Sequence, residues 1–203
     1  MDTILKSPVR SLLLGLLLVV PLLAFALPGA AAPDLGSGAF WSFAVRWLHI
    51  GAGILLVGLL WYVNLVLLPI MPRLPEEVRP GVAKILGPAV VLWMRWAGLA
   101  VAATGLLLAG LEGYLAQALS LGAIEGFAVA RHAAIGLGIW LAILMIANLW
   151  LFIWPEQRIA VGLAGGEPDR RVLAARRALA GTRINLVLSL PMLFLMVAAR
   201  HLL

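Results

Sequence analysis

The sequence predicts an all-α membrane protein, a polytopic bundle of five transmembrane helices. Hydrophobic residues make up 64% of the 203-residue chain and charged residues only 12%, whereas about a quarter of the residues in a soluble domain are charged. The mean hydropathy is +1.07. A transmembrane helix needs about 20 predominantly apolar residues, and five stretches qualify: 11–28, 41–71, 88–111, 132–154 and 183–203. A soluble enzyme fold is therefore excluded.

The first segment is expected to stand apart from the other four. Lys6 and Arg10 precede an apolar run that ends near Pro28 in a row of small residues, a pattern shared by cleavable signal peptides and signal anchors. We therefore predict that residues 1–32 form an N-terminal transmembrane helix or signal anchor, and that residues 33–203 form a four-helix membrane domain. Whether the first helix is cleaved is left open.

The basic residues predict the orientation of the bundle. If the segments alternate in direction, only Arg46, Arg131 and Arg200, of the 15 Lys and Arg residues, lie on one side of the membrane. Because cytoplasmic loops collect Lys and Arg, we expect a bacterial inner-membrane protein with a cytoplasmic N-terminus and a periplasmic C-terminus. The net charge of +6 is thus a topology signal and does not indicate nucleic-acid binding.

The chain contains no cysteine. Disulfides, thiolate ligands, iron–sulfur clusters and covalently attached c-type haem are therefore excluded for this sequence. A redox centre would have to be held by histidine, methionine or carboxylate side chains.

Three histidines on three segments are expected at one depth. His49 and His132 each lie about 22 positions, or roughly 33 Å of helix, from the cytoplasmic end of their segments, and His201 lies about 20 positions, or roughly 30 Å, beyond Gly181. Glu112 reaches about the same depth from the third segment. Ionisable groups in membrane spans usually face the bundle interior and mark a site. The sequence therefore predicts a metal or haem layer near the periplasmic surface.

Arginines beside the histidines favour a b-type haem over a bare metal ion. Each histidine has an arginine close in sequence, and these three arginines are Arg46, Arg131 and Arg200. Arginine forms bidentate pairs with carboxylates, and haem presents two propionates at one edge. The three arginines are therefore candidate propionate partners.

Nearby glycines distinguish two of the three histidines as the preferred axial ligands. The residue at i+4 lies on the same helix face, where a flat macrocycle needs space, and it is Gly53 for His49 and Gly136 for His132. We therefore rank His49 with His132 as the axial pair. His201 is a third ligand candidate, a propionate partner or a replacement axial ligand.

Two other interpretations of the same residues stay open. Three imidazoles and Glu112 could bind copper, zinc or iron without a porphyrin, which would indicate a metal-handling membrane protein. The chain could also be a cofactor-free structural subunit of a membrane complex.

A second polar layer is expected toward the cytoplasmic side. It draws one residue from each of the last four segments: Asn64, Arg95, Asn148 and Asn185. Hydrogen bonds between helices are the expected role of these side chains, worth around 0.6–2 kcal/mol per contact in membranes. The alternative role is to line a quinone or substrate pocket.

Several short motifs together resemble a known family. They are Arg46-Trp47-Leu48-His49, Trp61-Tyr62-Val63-Asn64, Trp93-Met94-Arg95-Trp96, Asn148-Leu149-Trp150 with Ile153-Trp154-Pro155-Glu156-Gln157, and Thr182-Arg183-Ile184-Asn185 running on to His201. These stretches resemble the bacterial membrane urate hydroxylase family, also described as the urate oxidase N-terminal domain or PuuD-like proteins. The resemblance implies a membrane oxidoreductase domain that passes electrons toward a cytochrome c. It also implies that His201 is a ligand alongside His49.

The sequence as a whole therefore predicts a membrane-embedded haem b protein. We expect it to transfer electrons from a small-molecule donor to a periplasmic cytochrome c or a membrane partner subunit, within the lipid bilayer. The identity of the donor and the formation of a homo-oligomer are left open.

Overall fold

The computed structural model describes residues 6–26 and 34–203, and these residues form helices and connecting turns with no β-strand. Five of the helices are long and apolar enough to cross a membrane, and α4 is a short connecting helix. The predicted all-α membrane bundle is confirmed. The helices are α1 (Pro8–Ala26), α2 (Gly38–Arg73), α3 (Arg79–Leu111), α4 (Leu115–Leu119), α5 (Ala130–Ala160) and α6 (Pro168–His201).

The chain divides into two compact units, Met1–Phe40 and Trp41–Leu203. In the first unit, α1 is apolar and contains Pro21, which membrane helices tolerate better than soluble ones. The proposed small-residue cleavage site and the boundary predicted between residues 32 and 33 lie outside the described residues.

Two helices begin well before the apolar runs that predicted them. The run from residue 88 belongs to a helix that starts at Arg79, and the run from residue 183 belongs to one that starts at Pro168. Proline in the first turn suits a helix start, and Asp169 in the first turn of α6 complements the helix dipole. Hydropathy detects only the lipid-embedded part of a helix, so the polar extensions were missed.

Small residues let the helices of the second unit pack closely. A methyl group added at Gly98 of α3 would lie 3.3 Å from Ile146 on α5 and 3.9 Å from Leu56 on α2. One added at Gly181 of α6 would lie 2.7 Å from Ile153 on α5. Because lipid is as apolar as the helix surfaces, this close packing replaces hydrophobic burial as the source of helix association.

Contacts between α2 and α6 close the bundle. The Trp61 indole Nε1 donates a hydrogen bond to Ser189 Oγ at 3.1 Å. The second unit has four long helices, α2, α3, α5 and α6. Each contacts the next in sequence and α6 contacts α2, which places α2 and α5 on one diagonal of an up-down bundle. Each helix contributes a large buried side chain to the core: Leu60, Met94, Leu149 and Met192.

We call the end of this bundle that carries His49, Glu112 and His132 the histidine end, and the end that carries Arg73, Arg79 and Pro168 the arginine end. An apolar cavity of about 180 Å³ lies toward the arginine end, lined by all four long helices. No histidine lines this cavity.

Two π-helical segments interrupt the long helices. They are Val63–Leu67 in α2 and Leu149–Ile153 in α5, and each ends two residues before a proline, Pro69 and Pro155. A proline removes one backbone donor and its ring crowds the preceding turn, so a wider turn accommodates it inside a continuous helix. Both segments also line the apolar cavity.

The carbonyl that Pro69 leaves without a donor is satisfied by an arginine. In the π-helical turn the Leu68 N–H donates to Val63 O, and the next carbonyl, that of Asn64, would need an N–H from residue 69. Arg183 Nη1 on α6 donates to Asn64 O at 3.3 Å instead. An unsatisfied carbonyl inside a membrane costs several kcal/mol, so this bond compensates for the proline.

The hydrogen bonds predicted for the second polar layer are present between α5 and α6. Asn148 Nδ2 donates to Gly181 O at 2.9 Å and to Asn185 Oδ1 at 2.8 Å. Asn185 Nδ2 donates back to Met145 O at 3.0 Å. The two amides thus hold α5 and α6 at one register.

Asn64 connects α2 to the same layer. Its Nδ2 donates to Leu60 O at 2.9 Å and to Thr182 O at 3.4 Å on α6. Arg95, the fourth residue predicted here, has no hydrogen bond to the described residues and lies instead against two tryptophan rings.

Replacing Asn148 or Asn185 with leucine is expected to lower the free energy of unfolding by about 1–2 kcal/mol, because each change removes bonds between helices in an apolar setting. The double variant is expected to lose less than the sum of the two single losses, since the amides bond to each other. Unfolding of detergent-solubilised protein by sodium dodecyl sulfate measures all three. Additive losses would show that the two amides act separately.

Candidate cofactor site at the histidine end

The His49 ring lies half-buried between α2 and α3. Its Nδ1 is 3.1 Å from Val101 O and 3.1 Å from Thr104 Oγ1. A carbonyl only accepts, so the neutral imidazole carries its proton on Nδ1 and donates it to Val101. This arrangement leaves the lone pair on Nε2, as in histidines that bind metals through Nε2.

Gly105 provides the space for the His49 ring. A methyl group added at this glycine would lie 2.9 Å from His49 Cε1. The neighbouring Thr104, which donates to Ala100 O at 2.5 Å, contacts Nδ1 of the same ring. The glycines of the third segment indicate close packing, but sequence alone does not show which side chain each one faces.

His132 is oriented by residues that precede it. Its Nδ1 lies 2.6 Å from Glu125 Oε2, and its ring stacks on Tyr114 with a centroid separation of 5.9 Å and an interplanar angle of 18°. An ionised carboxylate only accepts, so Nδ1 again carries a proton, and the neutral form of this imidazole has its lone pair on Nε2. Carboxylate-oriented imidazoles of this kind are common in metal sites.

The two predicted glycines differ in their surroundings. Nothing lies within 4 Å of a methyl group added at Gly53, so this face of α2 has the predicted space. At Gly136 the added methyl would collide with the backbone carbonyl of Ala118 and lie 3.1 Å from Leu121. Here α4 folds back onto α5 and fills the space that we expected for a macrocycle beside His132.

The segment that carries α4 is held by specific contacts. Trp140 Nε1 on α5 donates to Leu119 O at 3.1 Å. Leu121 and Phe127 adopt left-handed backbone angles, with φ of 56° and 62°. Such angles are unfavourable for branched or bulky residues and persist only where the surroundings impose them.

His201 occupies the last residue of α6 and is exposed. Among the described residues, no group of three or more His or acidic side chains is placed to hold a metal ion. His49, His132, His201 and Glu112 therefore do not form one bare-metal cluster within this part of the chain.

The three arginines predicted for this layer all lie at the histidine end of the bundle. Arg46 forms an ion pair with Glu112, which joins α2 to α3 at the predicted common depth. The Arg131 guanidinium lies 5.7 Å from the Tyr114 ring centroid. The charges of Arg46, Arg131 and Arg200 all act on the Tyr114 hydroxyl. A set of permanent cations is thus gathered at the histidine end, with one of them already paired.

Sequence reasoning missed Tyr114, Thr104 and Glu125. Thr104 lies on the third segment at a depth near that of His49, and Glu125 lies seven residues before His132. Depth along the helix could therefore have indicated that Thr104 lies near His49. No local pattern in the sequence indicates how the segment around Tyr114 and Glu125 folds.

We expect Tyr114 to ionise only at a pH above the usual range. Burial raises the pKa of its hydroxyl, the Glu112 carboxylate raises it further, and the three arginines oppose both effects. Stability due to the neutral hydroxyl is complete below about pH 10, the pKa in the unfolded chain, and is lost as the pH rises through the higher pKa of the folded protein.

An ultraviolet titration of tyrosinate formation checks this expectation, with Tyr114→Phe as the matched variant. The difference between the two curves reports Tyr114, because Tyr62 is the other tyrosine of the chain. A difference curve centred at or below about pH 10 would contradict the expected shift.

Comparison of the chain with protein-family models, with curated proteins and with solved structures finds no match.

Proposed function

We propose that the protein is a membrane-embedded b-type haem protein that transfers electrons from a small-molecule donor to an external cytochrome c or partner subunit. The observation that carries the proposal is the state of two imidazoles. In both His49 and His132, Nδ1 is held by a protein oxygen, so the neutral form of each ring has its lone pair on Nε2. Ligating histidines have this arrangement, because the bond at Nδ1 sets the tautomer and the ring orientation.

Different residues would bind the iron and the propionates of the haem. His49, with His132 or His201, would hold the iron, and a bound haem would supply reversible one-electron chemistry. Arg131 and Arg200 are exposed and have no ion pair among the described residues, so they are available to propionates, whereas Arg46 would share its charge with Glu112. The apolar bundle would exclude water from the edge of the haem that carries no propionates.

The membrane orientation is part of the proposal. The arginine end carries most of the Lys and Arg residues of the chain, which favours its placement in the cytoplasm. The histidine end would then face the periplasm of a bacterial inner membrane, where a soluble cytochrome c can reach it. The resemblance to urate hydroxylases makes a purine the first donor to test.

A spectrum of the purified protein tests the proposal. We expect a reduced-minus-oxidised absorption spectrum with b-type bands, and a pyridine haemochrome assay showing non-covalent haem in stoichiometric amounts. Copper or zinc without porphyrin in elemental analysis would instead support a metal-handling protein. Absence of both from protein expressed with sufficient haem and metal would contradict any redox role and leave a structural subunit.

A further inference from the structure

Arg95 is held between two aromatic rings inside a transmembrane helix. Its guanidinium carbon lies 3.7 Å from the ring centroid of Trp150 and 3.6 Å from that of Trp154. The two indoles lie on one face of α5 with their planes at 66° and their centroids 6.0 Å apart. Both cation–π contacts are well inside the usual limit of about 6 Å. The rings therefore fix the guanidinium in the groove between α3 and α5.

The donors of this group are not used by the described part of the protein. Arg95 Nε and Trp150 Nε1 are buried and lack a hydrogen-bond partner among the described residues. The described residues also provide no acceptor for the Arg95 Nη atoms. A buried donor without an acceptor costs about 1–3 kcal/mol, so an arrangement that keeps two of them points to a missing acceptor.

A second cation lies beside the first. The Arg158 guanidinium lies 5.3 Å from the Trp154 ring centroid, so Trp154 has arginines near it from both α3 and α5. The nearby carboxylate of Glu156 is already paired with Arg170 and Arg177. Two positive charges thus share one groove, and no acidic residue of the described chain pairs with either.

The depth of this group suits a lipid headgroup. At about 1.5 Å per residue, α5 rises roughly 27 Å from His132 to Trp150 and roughly 39 Å to Arg158. With His132 at one boundary of a hydrocarbon layer about 30 Å thick, these residues bracket the opposite boundary. Phosphate groups of the lipids lie just outside that boundary.

We infer that Arg95, Trp150, Trp154 and Arg158, here called the Arg95 clamp, bind the phosphate group of an anionic phospholipid in the groove between α3 and α5. Arginine suits phosphate because its planar fork donates two parallel hydrogen bonds. Tryptophans and arginines that merely anchor a helix at the interface point their polar atoms to water or headgroups. The burial of Arg95 Nε and Trp150 Nε1 distinguishes the clamp from such anchors.

Native mass spectrometry of the protein released from mixed bilayers tests the inference. The probes are phosphatidylglycerol and phosphatidylcholine of equal chain length in equal amounts. We expect the wild-type protein to retain phosphatidylglycerol preferentially, and Arg95→Gln to lower this preference by about tenfold or more, since hydrogen bonds to charged groups are among the strongest. Arg95→Lys is expected to restore it only in part, because an ammonium lacks the planar fork.

Arg176→Gln is the matched control. Arg176 is an exposed arginine on α6 toward the same end, and it forms no cation–π contact with either tryptophan. Its replacement by glutamine therefore removes an equal charge outside the clamp. An equal loss of preference in Arg176→Gln and Arg95→Gln would overturn the clamp in favour of general charge attraction. Displacement of phosphatidylglycerol by millimolar inorganic phosphate would overturn the lipid assignment in favour of a soluble anion.

A second variant covers the case in which Arg95→Gln does not fold. Arg158→Gln changes an exposed side chain and leaves both indoles in place, so its fold should be intact by circular dichroism. We expect it to lower the preference for phosphatidylglycerol by about threefold, in line with a single partly solvated contact. An unchanged preference in this folded variant would overturn the inference.

Discussion

Replacing His49 with glycine is expected to abolish the haem absorption of the purified protein. The ring lies between α2 and α3 with its Nε2 lone pair available, and Val101 and Thr104 hold it in one orientation. If His49 is one of two residues that would hold the haem iron, its removal would leave a single protein ligand, and a non-covalently bound haem would then be lost during purification. The measurement is the ratio of haem absorption to protein absorption after gel filtration.

Free imidazole provides the control for this variant. A glycine at position 49 leaves a space the size of the lost ring, and added imidazole is expected to fill it and restore part of the absorption. Restoration would show that the variant is folded and that the missing group is a ligand. An unchanged spectrum in folded His49→Gly would remove His49 from the axial pair.

The same experiment decides between the other two histidines. Of the variants His132→Ala and His201→Ala, one is expected to lose haem and the other to keep it. Loss in His132→Ala would support the pair on the diagonal helices α2 and α5. Loss in His201→Ala would support the ligand implied by the resemblance to urate hydroxylases.

Replacing Gly136 with alanine is expected to destabilise the protein by about 3 kcal/mol or more, at the upper end of the usual cost of overpacking. The added methyl would lie 3.0 Å from the carbonyl carbon of Ala118 and closer still to its oxygen. Both atoms belong to the backbone of α4, so neither can move aside by changing a rotamer. We therefore expect α4 to separate from α5, with loss of the hydrogen bond from Trp140 to Leu119.

Thermal unfolding in detergent measures this loss, and Gly138→Ala is the matched control on the same helix. The three atoms nearest to a methyl at Gly138 all belong to the Met196 side chain, with Cε at 3.2 Å. Methionine is flexible, so this variant is expected to change stability by less than about 1 kcal/mol. Equal losses in the two variants would show that α4 does not pack as described.

Much of the bundle could be predicted because membrane helices show their apolar character locally. The five spans, the common depth of Arg46 and Glu112, and the hydrogen bonds of Asn148 and Asn185 follow from hydropathy, helical rise and the cost of unpaired polar groups in lipid. Each of these depends on how deep a residue lies along its own helix, and that depth can be counted from the sequence.

Other features depend on which faces of two helices meet, and they were not predicted. Gly136 was assigned to a cofactor, but α4 covers it. Arg95 was assigned to a hydrogen-bonded layer, but it lies against Trp150 and Trp154. In both cases the sequence indicated how deep the residue lies along its helix. The rotation of the helix about its axis, which the sequence does not indicate, decided which group the residue contacts.

The amino-acid sequence by itself determined that this is a helical membrane protein, and it placed the ionisable side chains at two depths. Only the tertiary structure decided that each of two imidazoles has its Nδ1 held by an oxygen, that Arg131 lies near the Tyr114 ring, and that Arg95 keeps its donors free. The physical reason is that helical rise is the same for every residue, whereas the facing of helices depends on packing among side chains far apart in the chain.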